Sequence, residues 1–369
     1  MHFSAQQSTA IDKVNRWYRE ADQPIFRVFG YAGTGKTTLA RHFAESVKGS
    51  VQYGAFTGKA AMVMRKNGCA GASTLHSILY KFEQDEETGV TKFTRRPRFE
   101  MEKIKLFIID ECSMVDDELG RDLLSYRIPI LVLGDPGQLP PVSGGGFFTN
   151  HDPDVMLEEI HRQAADNPIV RIATDVREGR PLAVGDYGQA KIISIKDVDA
   201  SIVTSVDQVL VGVNRTRQRY NDRLRQLAGR TERLPEIGDR LVALKNEHQI
   251  GILNGGLWEV LELKKRRKGV VNDSCVHMTV RSLDFEGAKP LDVRCRKEFF
   301  LGTGHEVHWK DRRGTQEFDY GYALTVHKSQ GSQWPNVCLF DESGAFGADR
   351  GRHLYTGITR AAEQLTIVA

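Results

Sequence analysis

The run Gly30-Tyr31-Ala32-Gly33-Thr34-Gly35-Lys36-Thr37 constrains this chain more than any other stretch. It matches G-x-x-x-x-G-K-[ST], the phosphate-binding loop, at every fixed position. Ahead of it, Ile25-Phe26-Arg27-Val28-Phe29 is rich in β-branched and aromatic residues and predicts a buried strand. Behind it, Leu39, Ala40 and Phe43 recur at helical spacing. Strand, glycine loop and helix are the context the motif needs. The glycines let backbone N–H groups close around phosphate oxygens, at a helix N-terminus whose dipole favours anions. Gly33, Thr34, Gly35, Lys36, Thr37 and Thr38 are the candidate nucleotide-binding residues. Lys36 reaches the β- and γ-phosphates in such a loop, and the Thr37 hydroxyl ligates Mg²⁺. The loop therefore implies ATP and Mg²⁺, but not what the energy drives.

A second signal lies at Leu106-Phe107-Ile108-Ile109-Asp110-Glu111, an apolar run ending in two carboxylates. A continuous apolar run suits a central parallel strand buried on both faces. Asp110 at its end is placed to hold the metal, and Glu111 to take a proton from the attacking water. Ile130-Leu131-Val132-Leu133-Gly134-Asp135 predicts another such strand, followed by Pro136-Gly137-Gln138, where the Gln can touch a γ-phosphate. Arg162 follows in Ile160-His161-Arg162-Gln163. By itself an exposed Arg is usually just a solvated charge.

Thr57, Lys59, Thr74 and His76 fall where strands give way to helices, the places at which doubly wound folds present ligand-binding groups. Lys and hydroxyl donors suit phosphate contacts on a nucleic-acid backbone. Helix capping by Thr57 and Thr74 is the plainer reading. Gln7 is similarly two-sided: with Ser4 it completes a capping box, and upstream of a phosphate loop it can bond adenine. Tyr80 to Arg98 breaks the α/β rhythm and predicts a small inserted hairpin. From Leu234 to about Gln316, turn signals at Asn254-Gly255, Asn272-Asp273 and Glu286-Gly287 separate short alternating runs, predicting a β-rich insertion.

With 369 residues the chain is long enough for two or three full-sized cores. The net charge of +3 permits nucleic acid without pointing to it. The clusters Arg95-Arg96-Pro97-Arg98 and Lys264-Lys265-Arg266-Arg267-Lys268 suit either solvated turns or phosphate contacts. Five cysteines without a C-x-x-C pair argue against structural zinc and fit a reducing compartment; Cys112 is expected to be a small buried residue. Neither a signal-peptide pattern nor an apolar run of membrane-spanning length is present, so a cytoplasmic protein without a membrane partner is expected.

The ordered series resembles superfamily 1 helicases, in particular the 5′→3′ subgroup typified by RecD and Dda. The stretches that carry it are Gln7, Gly30–Thr37, Thr57–Ala61, Ser73–His76, Asp110-Glu111-Cys112-Ser113-Met114, Gly134–Val142, Arg162-Gln163, Ala323–Gly331 and Tyr355–Ala361. They span nearly the whole chain in family order. The resemblance implies two RecA-like α/β motor domains, 1–79 with 106–170 and 171–245 with 316–369. It also implies a strand-separating pin at 80–105 and an SH3-like barrel at 246–315. Gln7 then binds adenine, Lys36 and Thr37 phosphate and Mg²⁺, Asp110 the metal, and Glu111 the water. Gln138 senses the γ-phosphate, and Arg162 and Arg360 are arginine fingers from either side of a cleft. Thr57, Lys59, Thr74, His76, Thr325, His327 and Lys328 line the single-strand track, with Phe93 a candidate wedge in the pin. The sequence departs from the family at Gln333, where an acidic residue is usual.

The implied activity is ATP-driven 5′→3′ movement on single-stranded DNA with duplex unwinding, by a monomer, in the cytoplasm of a bacterium or phage-infected cell. Its partners are single-stranded DNA, single-strand/duplex junctions, and replication or recombination proteins. An RNA helicase or protein-displacing translocase is the nearest alternative, and a non-hydrolysing nucleic-acid scaffold the alternative of another class. The chain ends a few residues past its last motif, so no appended nuclease module is expected.

Overall fold

The structure is a computed structural model that describes residues 3–84, 91–140, 146–159, 166–247, 250–264, 274–284 and 287–369. The first part of the chain forms α1 (Ala5–Glu20), β1 (Ile25–Gly30), α2 (Lys36–Ser46), β2 (Ser50–Ala55), α3 (Gly58–Lys66), β3 (Ser73–Thr74) and α4 (Leu75–Leu79). The hairpin strands β4 (Tyr80–Gln84) and β5 (Thr91–Arg95) follow, then β6 (Ile104–Asp110), α5 (Asp117–Ser125), β7 (Ile130–Gly134) and β8 (Val155–Leu157). Six of these strands pair in parallel in the order β3-β2-β6-β7-β1-β8. Because side chains alternate along a strand, each apolar run feeds two cores. Val28, Leu106, Ile108, Leu131 and Leu133 pack beneath α1, α2 and α3. Phe29, Phe107, Ile109, Ile130 and Val132 pack on the other face, beneath α4 and α5. Burial on both faces is why these runs are apolar without interruption.

The second part contains α6 (Pro168–Arg177), β9 (Gly185–Asp186), β10 (Ala190–Ile193), α7 (Ala200–Thr204), β11 (Gln208–Val211) and α8 (Asn214–Leu227). Next come β12 (Arg240–Ala243), β13 (Leu257–Leu263), β14 (Cys275–Ser282), β15 (Leu291–Arg296), α9 (Lys297–Phe300) and β16 (Phe318–Tyr320). The chain closes with β17 (Ala323–Thr325), β18 (Trp334–Phe340), α10 (Arg350–Ile358) and β19 (Ala361–Val368). A second sheet runs β17-β11-β18-β19-β10-β9, parallel except for the edge strand β9. It too is covered on both faces, by α6 and α10 on one and by α7 and α8 on the other.

Between the halves of this second sheet lies a five-stranded antiparallel sheet, β15-β14-β13-β12-β16, around Trp258, Val260, Met278, Val280 and Phe318. It begins at Arg240 and ends at Tyr320, wider than the expected span of 246–315. β12 starts directly after a turn at Gly238 (φ 82°) and β16 ends directly before Gly321. They are specified by pairing with each other, Leu241 opposite Tyr320 and Ala243 opposite Phe318. The hairpin β4–β5 pairs antiparallel from Tyr80 opposite Arg95 to Gln84 opposite Thr91. The Phe93 side chain, the expected wedge, lies outside the described side chains.

Of the two basic clusters, residues 265–268 lie outside the described residues, and three of the described members form local ion pairs. Arg95 meets Asp122 at 3.1 Å, Arg96 meets Glu100 at 3.1 Å, and Lys264 pairs with Asp292. No helix among the described residues is long and apolar enough to cross a membrane.

Candidate functional site

The phosphate loop turns at Gly33 (φ 82°) and Gly35 (φ 79°), conformations that a Cβ would oppose. α2 starts at Lys36, so the N-terminal amides of a covered helix face the loop. Gly30 admits no side chain, because a Cβ there would lie 2.7 Å from Thr34 Oγ1 and 2.8 Å from Leu157 Cβ. Lys36 Nζ donates to the loop's own carbonyls, Gly30 O at 2.6 Å and Tyr31 O at 3.1 Å. Thr37 Oγ1 donates to Asp110 Oδ2 at 2.8 Å, so the loop hydroxyl and the strand-end carboxylate lie side by side. Two hard oxygen donors side by side next to phosphate-binding amides fit Mg²⁺. Thr38 sits one position further along α2 and is exposed.

Gln7 completes the capping box and also reaches the phosphate loop. Its Oε1 accepts from the Ser4 N–H at 3.1 Å, completing the capping box of α1, while its Nε2 donates to Thr34 O at 3.0 Å. The helix cap is thereby fastened to the phosphate loop.

Glu111 follows β6 in the left-handed region, φ 54°, where few non-glycine residues sit. Its carboxyl is held above the ordinary carboxylate range. Burial is the largest cause; Arg360 and Lys36 pull the other way, and Asp110 and Asp135 reinforce the rise. Cys112 beside it is buried, its thiol pushed up chiefly by burial, and fills the space next to Gly134. It is a packing residue, as expected.

Gln138 is 8% exposed, and its Oε1 has no hydrogen-bond partner among the described residues. A buried amide oxygen without a partner is costly unless a ligand completes it. Arg360, from the second domain, is 5% exposed and fastened by its own domain: Nε to Thr356 O at 3.0 Å, Nη1 to Ser332 O at 3.2 Å and Nη2 to Thr359 Oγ1 at 3.0 Å. Lys36, Thr37, Asp110, Glu111, Gln138, Gln333 and Arg360 line one cavity of about 240 Å³ between the two parallel sheets. Residues from positions 32 to 360 thus converge on one cleft. Arg162 lies outside the described residues.

The cleft is crossed by hydrogen bonds that the sequence did not announce. Tyr355 Oη accepts from the Ala32 N–H at 2.9 Å and donates to Asp135 Oδ2 at 2.8 Å. Leu139 N–H donates to Thr356 Oγ1 at 3.0 Å, and Gln330 Nε2 donates to Leu139 O at 3.1 Å. Tyr355 was readable only as part of a motif, since nothing local signals partners more than 200 positions away.

The expected strand-binding residues divide. Thr57 and Thr74 cap α3 and α4, accepting from Ala60 N and Ser77 N. His76 lies between the Phe56 and Tyr80 rings. Thr325 is buried, and its hydroxyl accepts from the Lys328 N–H at 3.3 Å. His327 contacts Phe346 and is held below its ordinary pKa chiefly by burial; Lys328 is likewise lowered, chiefly by desolvation. Lys59 departs from the expected open track. It is 5% exposed, its Nζ 3.1 Å from Asp284 Oδ1 in the inserted sheet and 4.3 Å above the Trp334 ring. The reason is that α3 is roofed by that sheet: a Cβ on Gly58 would lie 2.8 Å from Leu253 Cβ. Asp284 stands in a turn and carried no sequence signal for this contact.

Residues 2–197 match a family model described as an AAA domain, and residues 320–368 match the UvrD-like helicase C-terminal domain. The chain is 28% identical to the ATP-dependent RecD2 DNA helicase of Deinococcus radiodurans, over 98% of this chain and 48% of that protein. It is 27% identical to the conjugal transfer protein TraA of Rhizobium radiobacter, over 93% of this chain and 31% of that protein. The chain therefore spans about half, or less, of the length of these curated relatives. Among solved structures, Pif1 from Bacteroides bound to single-stranded DNA superposes with a TM-score of 0.60 at 18% identity, covering 100% of this chain and 92% of that one. Pif1 from Candida albicans gives 0.57, also at 18% identity, with 100% and 94% covered.

Proposed function

Since the chain belongs to the superfamily 1 helicases of the RecD/Pif1 type, we propose that it is an ATP-driven motor that moves 5′→3′ along single-stranded DNA and unwinds duplex ahead of it. The observation that carries the reading is the shared cleft, where Lys36, Thr37, Asp110, Glu111 and Gln138 face Arg360 across one cavity.

Lys36 exchanges its loop carbonyls for the β- and γ-phosphates, and the loop amides close on them. Thr37 and Asp110 would hold Mg²⁺, which when bound neutralises phosphate charge. Gln7 is adjacent to the loop and proposed to contact adenine. Glu111 accepts the proton of the attacking water while the bond from the γ-phosphorus to the ADP oxygen breaks. Gln138 offers its Nε2–H donors to the γ-phosphate, so it registers that group's departure, and leaves its buried Oε1 to accept from water. Arg360 stabilises the charge developing on the transferred group. Closure therefore depends on nucleotide state, and alternate grip by the two domains moves the strand. Separating the duplex costs about 1.4 kcal/mol per base-pair step, within reach of one hydrolysis per step.

Glu111→Gln tests the assignment. The variant retains ATP and single-stranded DNA binding and loses at least about 10²-fold in DNA-stimulated ATP hydrolysis. Undiminished turnover removes Glu111 as the base. Parallel assays with RNA oligonucleotides separate a DNA motor from an RNA motor, since only the preferred track stimulates hydrolysis.

A further inference from the structure

A buried hydrogen-bond chain runs through the cleft, from the phosphate loop to the loop that carries Gln138. Ala32 N–H donates to Tyr355 Oη, Tyr355 Oη–H donates to Asp135 Oδ2, and Asp135 Oδ1 accepts from Gly137 N–H at 2.9 Å. Tyr355 is 2% exposed and Asp135 4% exposed, so neither bond is shared with bulk water. The tyrosine's proton is held tightly: burial is the main cause and the Asp135 charge adds to it. The ring needs Gly137, because a Cβ there would lie 2.9 Å from Tyr355 Cε1. Next to this chain, Thr356 accepts from the N–H of Leu139 and Gln330 donates to its carbonyl, one residue past Gln138. Tyr355 and Thr356 lie near the C-terminal end of α10, and Thr356 O accepts from Arg360 Nε. One helix end therefore touches the phosphate loop, grips the γ-phosphate reader, and holds the finger arginine.

Resting on the motor reading above, we infer that Tyr355 is a positioning residue that transmits the state of the γ-phosphate from Gln138 to the second domain. Its hydroxyl fixes the distance between the phosphate loop, Asp135 and α10. A shift of the 135–139 loop on phosphate loss is therefore passed to the helix that carries Thr356 and leads into Arg360. Ala32 gives the helix a contact on the phosphate loop without occupying the cavity.

Tyr355→Phe keeps the ring and removes only the hydroxyl. The expected result is an ATP KM within about twofold of the parent, a DNA-stimulated kcat about tenfold lower, and fewer base pairs opened per ATP. Asp135→Asn gives the same pattern, and the double variant is no worse than either single one, because both break one chain. A readout independent of turnover is hydrogen exchange: a non-hydrolysable ATP analogue protects α10 in the parent and not in Tyr355→Phe. A Tyr355→Phe protein with unchanged kcat, unchanged base pairs per ATP and intact protection overturns the inference. So do defects that multiply in the double variant, or a lowered melting temperature with normal turnover per folded molecule. A parent protein without DNA-stimulated hydrolysis instead overturns the motor reading, and this inference with it.

Discussion

Glu111 occupies a left-handed backbone conformation that costs a non-glycine residue about 1–2 kcal/mol. That cost is offset by the surrounding packing and aims the carboxylate into the cleft rather than along the strand. Its raised pKa sets a sign for pH dependence. The deprotonated form is the base, so hydrolysis is lost as pH falls through the raised value, above the usual range of about 4.3 for a Glu. A pH profile of DNA-stimulated kcat/KM should show an acid limb on the high side of that figure; an acid limb at or below it would place the base elsewhere. At this scale the sequence was most legible where chemistry is local. Lys36, Thr37, Asp110 and Glu111 were readable because a phosphate loop and an acidic strand end each announce themselves within a few positions. The pairings of Tyr355 with Asp135 and of Lys59 with Asp284 were not, since each joins positions far apart in the chain that only folding brings together.

Among the elements, α3 shows how tertiary packing redirects a side chain. Lys59 sits in its first turn, yet the inserted sheet covers it and supplies Asp284, while Trp334 supplies an aromatic face. Removing one member of a buried ion pair leaves the other uncompensated, at a cost of about 3–5 kcal/mol. Asp284→Ala should therefore lower the unfolding free energy in denaturant titration by about that amount. The double replacement Lys59→Met with Asp284→Leu should recover part of it, because Lys59 is no longer stranded, while the buried Arg240 and the Leu257 N–H still lose Asp284. Equal losses in the single and double variants would show that the pair is not what joins α3 to the sheet. The sheets themselves were legible for a different reason. Strands buried on both faces must be apolar throughout, so β6 and β7 stood out. The inserted sheet was under-read at its ends because β12 and β16 are short and specified by pairing across about 75 positions of chain.

At the scale of the molecule, two sheets meet over one cavity, and the described bonds across it engage the phosphate loop at Ala32 and the loop from Asp135 to Leu139. Gln138 is next to Leu139, which the second domain holds from both sides; Tyr355 holds the phosphate loop itself. A cleft built this way links occupancy of the phosphate site to the spacing of the domains, which is what a motor requires. Backbone grip on DNA should be largely independent of sequence and weaken steeply with salt. The central claim is directional unwinding driven by ATP. It is tested most directly with duplexes bearing a single-stranded tail at either the 5′ or the 3′ end, mixed with the protein, Mg²⁺ and ATP. The account predicts strand separation from the 5′-tailed duplex, abolished when ATP is replaced by a non-hydrolysable analogue. Separation from the 3′-tailed duplex alone, or equally well without hydrolysis, would contradict it.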